Sequence, residues 1–194
     1  MRTNFRPVDL EFAPDGSLYL VEQTSETERR LRFKITQNDT AQFPFTEFTM
    51  PITEKSMAGY VALHGEVINL ADAYSIPADR PYRFNPKIDQ DTGYCSRSML
   101  TLPMKNAKGE VMGVLQLLNC KRNWKSRLTS LQVVEREVVP FSDRAAQLAL
   151  SLASQAAVAP SYSEALDTSR PVSAQIRDWY SKMAWSVPWL TSGW

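Results

Sequence analysis

Between Ser98 and Asn119 apolar side chains recur with almost no polar face. A strand from Ser98 to Lys105, a turn at Asn106-Ala-Lys-Gly109 and a second strand from Val111 to Asn119 describe a hairpin. Gly109 supplies the φ > 0 position that closes a four-residue loop. Centring that loop pairs Lys105 with Glu110, Leu102 with Gly113 and Leu100 with Leu115. Successive side chains alternate between faces, so Leu100, Leu102, Met104, Val111, Leu115 and Leu117 share one side. Met99, Thr101, Met112, Val114 and Leu118 share the other. With both sides mostly apolar, the hairpin belongs near the centre of a sheet covered on both faces. Gln116 is the exception: its amide needs a neighbouring backbone group, a water or a bound ligand as partner.

The rest of the chain is organised around that hairpin. Ser17 to Gln23 alternates as a strand after the Asp15-Gly16 turn signal, and Leu31 to Ile35 alternates apolar with basic, which completes a meander. Residues 38–52 hold two prolines and three phenylalanines and read as a loop whose aromatics tuck under the core. Thr53 is placed to cap a helix carrying Met57, Tyr60, Val61 and His64 at helical spacing, with Gly65 as its stop. Val67 to Leu70 is a short strand, residues 71–86 a proline-interrupted loop, and Asp89 to Tyr94 the lead-in to the hairpin. After the basic loop Lys121 to Arg127, Ser142 caps an Ala-rich helix reaching about Ala159. One stripe of it is Ala145, Leu148, Leu152, Ala156 and Ala159. Ala149, Leu150, Ala153 and Ala157 widen the apolar surface, and Ala149 and Ala153 are the expected contact with a second copy.

Composition narrows the function classes. With 194 residues, 22 basic and 21 acidic side chains and a net charge of +1, the chain has no electrostatic footprint for nucleic acid. It has no apolar run long enough to span a membrane and no signal-peptide core at its start, so a cytoplasmic protein is expected. A single histidine, His64, and two cysteines exclude a multi-histidine metal centre, and no metal is expected.

The ordered segments Ser17-Leu-Tyr-Leu-Val, Ser56-Met-Ala-Gly-Tyr-Val-Ala62, Asn69-Leu-Ala-Asp-Ala-Tyr74, Phe84-Asn85, Asp91-Thr-Gly-Tyr94, Arg97-Ser-Met-Leu100, Pro103-Met-Lys-Asn106 and Gly109-Glu-Val-Met-Gly-Val-Leu-Gln116 resemble the GAF family of regulatory domains. Their order and spacing are similar to the branch found in cyclic-nucleotide phosphodiesterases and bacterial sensors. The resemblance implies an α+β fold: a central antiparallel sheet with helices on one face and a ligand pocket on the other. It divides the chain into an irregular segment 1–15, where the family's first helix is missing, a GAF domain 16–159 and a Trp-rich tail 160–194. In that tail Ile176, Trp179, Tyr180, Met183 and Val187 share one helical face, expected to fold back onto exposed protein surface.

The resemblance also implies sensing rather than catalysis. Ligand-binding positions of the family match Ser17, Met57, Ala58, Asp89, Thr92, Ser96 and Gln116, and a cyclic nucleotide is the first candidate ligand, its phosphate held by helix N–H groups. Taken singly, Ser17 serves equally to open a strand, Asp89 and Thr92 to cap a turn, and Gln116 to bond backbone. Two alternatives stand beside the sensor: a ligand-free homodimerisation module built on the Ala-rich helix, and a free methionine sulfoxide reductase working through cysteines. Nucleotide-binding relatives carry Asn-Lys after the last central strand, then Phe with Asp-Glu four and five residues on. Asn119 and Phe141 fit, but Cys120 replaces the Lys and Ala145-Ala146 replace Asp-Glu, so that salt bridge cannot form. The hairpin register sets Cys95 opposite Cys120, giving either a redox-responsive dithiol or two ordinary reduced thiols.

Overall fold

A computed structural model of the chain describes residues 16–23, 28–37, 48–123 and 125–158. The readings for residues 1–15, 38–47 and 160–194, the tail helix among them, lie outside the described residues. Six strands form one antiparallel sheet in the order β3-β2-β1-β6-β5-β4. They are β1 (Gly16–Gln23), β2 (Arg29–Gln37), β3 (Phe48–Pro51), β4 (Ile68–Leu70), β5 (Met99–Lys105) and β6 (Val111–Leu118). The hairpin β5–β6 is central, as an apolar pattern on both faces requires. Over one face α1 (Met57–His64) joins Leu31, Met99, Val114 and Tyr82 in a shared core. Over the other, α4 (Asp143–Val158) packs on Leu100, Leu102, Leu117 and Phe141.

The hairpin register differs from the sequence expectation by two residues. Leu100 pairs with Leu117, Leu102 with Leu115 and Met104 with Gly113, and the ladder shifts between Met104 and Lys105, where Lys105 meets Val111. The loop is set by Asn106. Its Oδ1 accepts from the N–H of Lys108 (2.9 Å) and of Glu110 (3.0 Å), so Glu110 is held in the loop rather than opposite Lys105. The bulge then turns Val111 to the α1 side, where it joins Val114. Pro103 lies within the ladder opposite Val114. The slip also removes the expected cysteine pair: Cys120 pairs with Val139, Cys95 lies before β5, and neither forms a disulfide.

Three smaller corrections have local causes. Residues 48–51 are an edge strand rather than loop, and Phe48 stacks on Phe33 (ring centroids 4.9 Å apart) with much of its surface exposed. Ser56, not Thr53, caps α1, its Oγ accepting from Gly59 N–H at 3.0 Å. Gly65 closes the same helix with φ 65°, as the sequence indicated. Beyond the hairpin, β7 (Cys120–Lys121) pairs with β8 (Val138–Val139), and between them lies α3 (Leu131–Glu137). The α3 turn carries one buried side chain, Val134, too little to produce a helical period.

The Ala-rich helix faces the sheet with the stripe that was expected to pair with a second copy. Ala149 and Ala153 are buried, and Ala146 and Leu150 flank them against the core. Small side chains let α4 approach β5 closely; Ala145, Leu148 and Leu152 are half-buried instead. Glutamate at Ala149 or Ala153 would therefore place an unpaired carboxylate in the core and unfold the domain rather than split a dimer.

A close approach also fixes Gly59. A Cβ there would stand 2.7 Å from Ser56 Oγ and closer still to the Thr53 carbonyl oxygen. Gly59→Ala is expected to lower stability by about 1–3 kcal/mol through overpacking, measured by urea unfolding. A variant as stable as the parent would show that residues 53–56 yield without cost.

Candidate ligand site

Met57, Ala58 and Gln116, three of the residues that the family resemblance implies, lie on the α1 side of the sheet. Gln116 lies opposite Thr101 on β5 and opposite Ser17 on β1, and directly opposed residues share a face. Gln116 and Thr101 thus make a polar pair across β6 and β5, and Ser17 holds the adjoining register position on β1. The rungs to either side hold Val114 and Pro103, then Leu118 and Met99. The Gln116 Nε2 donates to Thr101 Oγ1 at 3.2 Å and lies 3.3 Å from Met99 Sδ, with the side chain 8% exposed. Met57 and Ala58, in the first turn of α1, are buried in the core cluster that Met99 and Val114 share. Thr101 was visible in the sequence only as a hydroxyl in an apolar strand, and its value depends on register.

A second group forms at the end of β5. In α2 (Lys87–Thr92) the buried Asp89 accepts three hydrogen bonds. Ser96 N–H reaches Oδ2 at 2.7 Å, Ser96 Oγ reaches Oδ1 at 2.9 Å, and the Tyr74 hydroxyl reaches Oδ2 at 2.8 Å. The charge is thus buried only with strong donors around it, as desolvation demands. Asp89 and Ser96 are brought together as a brace, and Tyr74 is a member that the sequence did not single out. Thr92 stands apart: it is exposed, with Oγ1 accepting from Tyr94 N–H at 3.3 Å.

Partial burial, and then the hydrogen bond to Asp89, push the Tyr74 hydroxyl above the usual tyrosine range. Burial, with Asp89 second, likewise raises the Cys95 thiol, which keeps it protonated and a poor nucleophile at neutral pH. Among the described residues no group of three His, Cys, Asp or Glu side chains could hold a metal ion. No described helix is long and apolar enough to cross a membrane. The polar groups on this face are an amide, a hydroxyl and helix N–H groups against an apolar wall, which suits non-covalent recognition of a small ligand with a polar edge.

A sequence model of the GAF domain matches residues 12–159. The chain belongs to the GAF domain family, whose members are regulatory, small-molecule-sensing modules. The dual 3',5'-cyclic-AMP and -GMP phosphodiesterase 11A of Takifugu rubripes is 48% identical to it over 65 residues, a stretch covering 34% of this chain and 7% of that protein. The chain thus spans a small fraction of that relative's length. Among solved structures, the GAF domain of a phosphoenolpyruvate-protein phosphotransferase from Coxiella burnetii has 18% identity and a TM-score of 0.49, over 89% of this chain and 76% of that one. The corresponding domain from Acinetobacter has 16% identity and a TM-score of 0.48, over 88% and 74%.

The Tyr74–Asp89 bond predicts a pH signature. A tyrosine whose folded pKa lies above its unfolded value stabilises fully below the unfolded pKa of about 10 and loses that contribution as pH rises through the folded value. The stability advantage of the parent over Tyr74→Phe should therefore be constant near neutrality and shrink above about pH 10. Denaturant unfolding of both proteins from pH 7 to 11 measures it. A gap that widens with pH would contradict the assignment.

Proposed function

We propose that this domain is a non-catalytic regulatory sensor of a small molecule, with a cyclic nucleotide as the first candidate. The observation that carries the reading is the bonded polar pair Gln116–Thr101, with Ser17 at the adjoining register position, on an otherwise apolar sheet face beneath Met57 and Ala58. An amide beside hydroxyls can match the donor–acceptor edge of a purine, and burial among apolar side chains makes each such bond discriminating. The first-turn N–H of Ala58 has no intrahelical acceptor by helix geometry, which suits a phosphate oxygen. Asp89 and Ser96 brace the wall in this reading, and Thr92 stands at its rim. The likeness to a phosphodiesterase named for cyclic AMP and cyclic GMP supports the choice of first ligand.

The reductase alternative loses ground because its two candidate thiols are not register partners and Cys95 is held protonated. Cysteines that form no disulfide are at home in a reducing cytosol, the compartment this reading assumes. Dimerisation remains part of the proposal on a different surface from the one first expected: the half-buried stripe Ala145, Leu148 and Leu152 on α4.

Two measurements test this function. Cyclic AMP or cyclic GMP at a hundred times its Kd should stabilise the protein by about 2.7 kcal/mol, read as a rise in melting temperature. Gln116→Leu should abolish that rise while keeping the far-UV circular dichroism of the parent. No shift with either nucleotide on a folded parent would remove the cyclic-nucleotide reading. For assembly, Leu148→Glu with Leu152→Glu should yield monomers in sedimentation where the parent sediments as a dimer. A monomeric parent at tens of micromolar, the range of a weak interface, would end the dimer reading.

A further inference from the structure

The residue that follows strand β6, Asn119, is fully buried and adopts φ 55°. Few residues other than glycine accept that conformation, and asparagine is among them. Its backbone N–H still donates to Ser98 O at 2.8 Å, so the residue keeps hold of β5. Its side chain turns to the segment before β5 and uses every group it has there. Oδ1 accepts from Arg97 N–H at 2.6 Å, while Nδ2 donates to Cys95 O and to the Tyr94 hydroxyl, each at 2.8 Å.

The same residue is where the chain leaves the main sheet. One step on, Cys120 N–H donates to Ser98 Oγ at 3.0 Å, and Cys120–Lys121 then pair with Val138–Val139. Arg122 N–H continues the ladder to Glu137 O at 2.8 Å. Strand β8 leads through Pro140 and Phe141 into α4, and Phe141 O accepts from Asn69 Nδ2 of β4 at 3.0 Å. Tyr94 adds a second path, since its ring packs on Leu128 and on Val134 of α3. One buried side chain thus ties the segment 94–98, continuous with the Asp89–Ser96 brace, to the short β7–β8 ladder at the root of α4.

We propose that Asn119 is a positioning residue coupling the wall of the ligand site to the root of α4, so that displacement of Tyr94–Ser98 is felt in β7, β8 and the first turn of α4. The tie itself is independent of any ligand; its role in signalling rests on the sensor reading above. Asp89 does not do this, because its bonds to Ser96 and Tyr74 stay on one side of the sheet's end.

Hydrogen exchange on the full chain without ligand tests the tie. Asn119→Gly keeps the φ 55° backbone at little steric cost and removes only the side-chain bonds. Loss of several such bonds at once should speed exchange roughly tenfold or more. The acceleration is expected both at Arg97 and at Arg122, Ala145 and Ala146. The α1 amides of Tyr60 and Gly65 should be unchanged. Acceleration confined to residues 94–98, or spread evenly over the domain, overturns the proposal. Tyr94→Phe removes a single acceptor and should give the same two-sided pattern at smaller amplitude, which keeps the test decisive if the glycine variant does not fold. A further arm with cyclic AMP separates the two readings: protection of Met57 and Ala58 that reaches Ala145 in the parent but not in Asn119→Gly extends the tie to ligand sensing. No protection anywhere counts against the nucleotide alone, and the ligand-free pattern decides the tie.

Discussion

Strands β5 and β6 have no solvent side, and that condition governs the rest of the molecule. A backbone buried on both faces must satisfy its polar groups within the sheet, and each polar side chain placed on it must find a protein partner or a ligand. Thr101 and Gln116 satisfy part of this requirement against each other. Ser98 does so by accepting from Cys120 N–H, and Asn119 by turning back on residues 94–97. The exposed alternative exists at the sheet's edge, where Phe48 on β3 keeps much of its ring in water. Covering both faces takes α1 and the loop residues Ala73 and Tyr82 on one side and α4 on the other. The chain is thus assembled as layers around one hairpin.

Much of that was legible because it depends on composition at alternating positions. The apolar faces of Leu100–Leu102 and Met99–Val114, the stop at Gly65 and the Ser142 cap all follow from side-chain chemistry within a few residues. Register was not legible, since it turned on the Asn106 side chain holding Glu110 in the loop and on a bulge beside Lys105. Each adds one residue to the offset, and together they part Cys95 from Cys120. The Ala-rich helix was ambiguous for another reason: alanine is tolerated against a sheet, against a second helix and in water. Only the contact with β5 selects Ala149 and Ala153 as the inner stripe.

The site shows the same division between what residue types reveal and what geometry adds. Gln116 was marked because an amide in an apolar strand is costly without a partner. Thr101 then makes it half of a polar pair, beside the register position of Ser17, that a single strand could not suggest. Asp89 was marked as a ligand contact, yet its two oxygens already take three donors from Ser96 and Tyr74. A buried carboxylate so engaged is expensive to uncover. What Asp89 does within the fold is hold residues 89–96 and Tyr74 together.

That division explains how the domain dispenses with the ion pair related domains carry behind this wall. At the place of the lysine Cys120 packs half-buried against the α4-side core, at the place of its aspartate partner Ala145 is half-buried, and Ala146 beside it packs on the same cluster as Cys120. A surface-type ion pair is worth only about 0–1 kcal/mol, and removing one partner alone costs more than removing both. Here all the charges are gone together, so no orphan remains. What the exchange cannot replace is direction: an apolar contact holds two surfaces together without fixing the path of the backbone. The three bonds from the Asn119 side chain supply that direction, and they do so from a residue whose left-handed backbone already turns the chain toward β8.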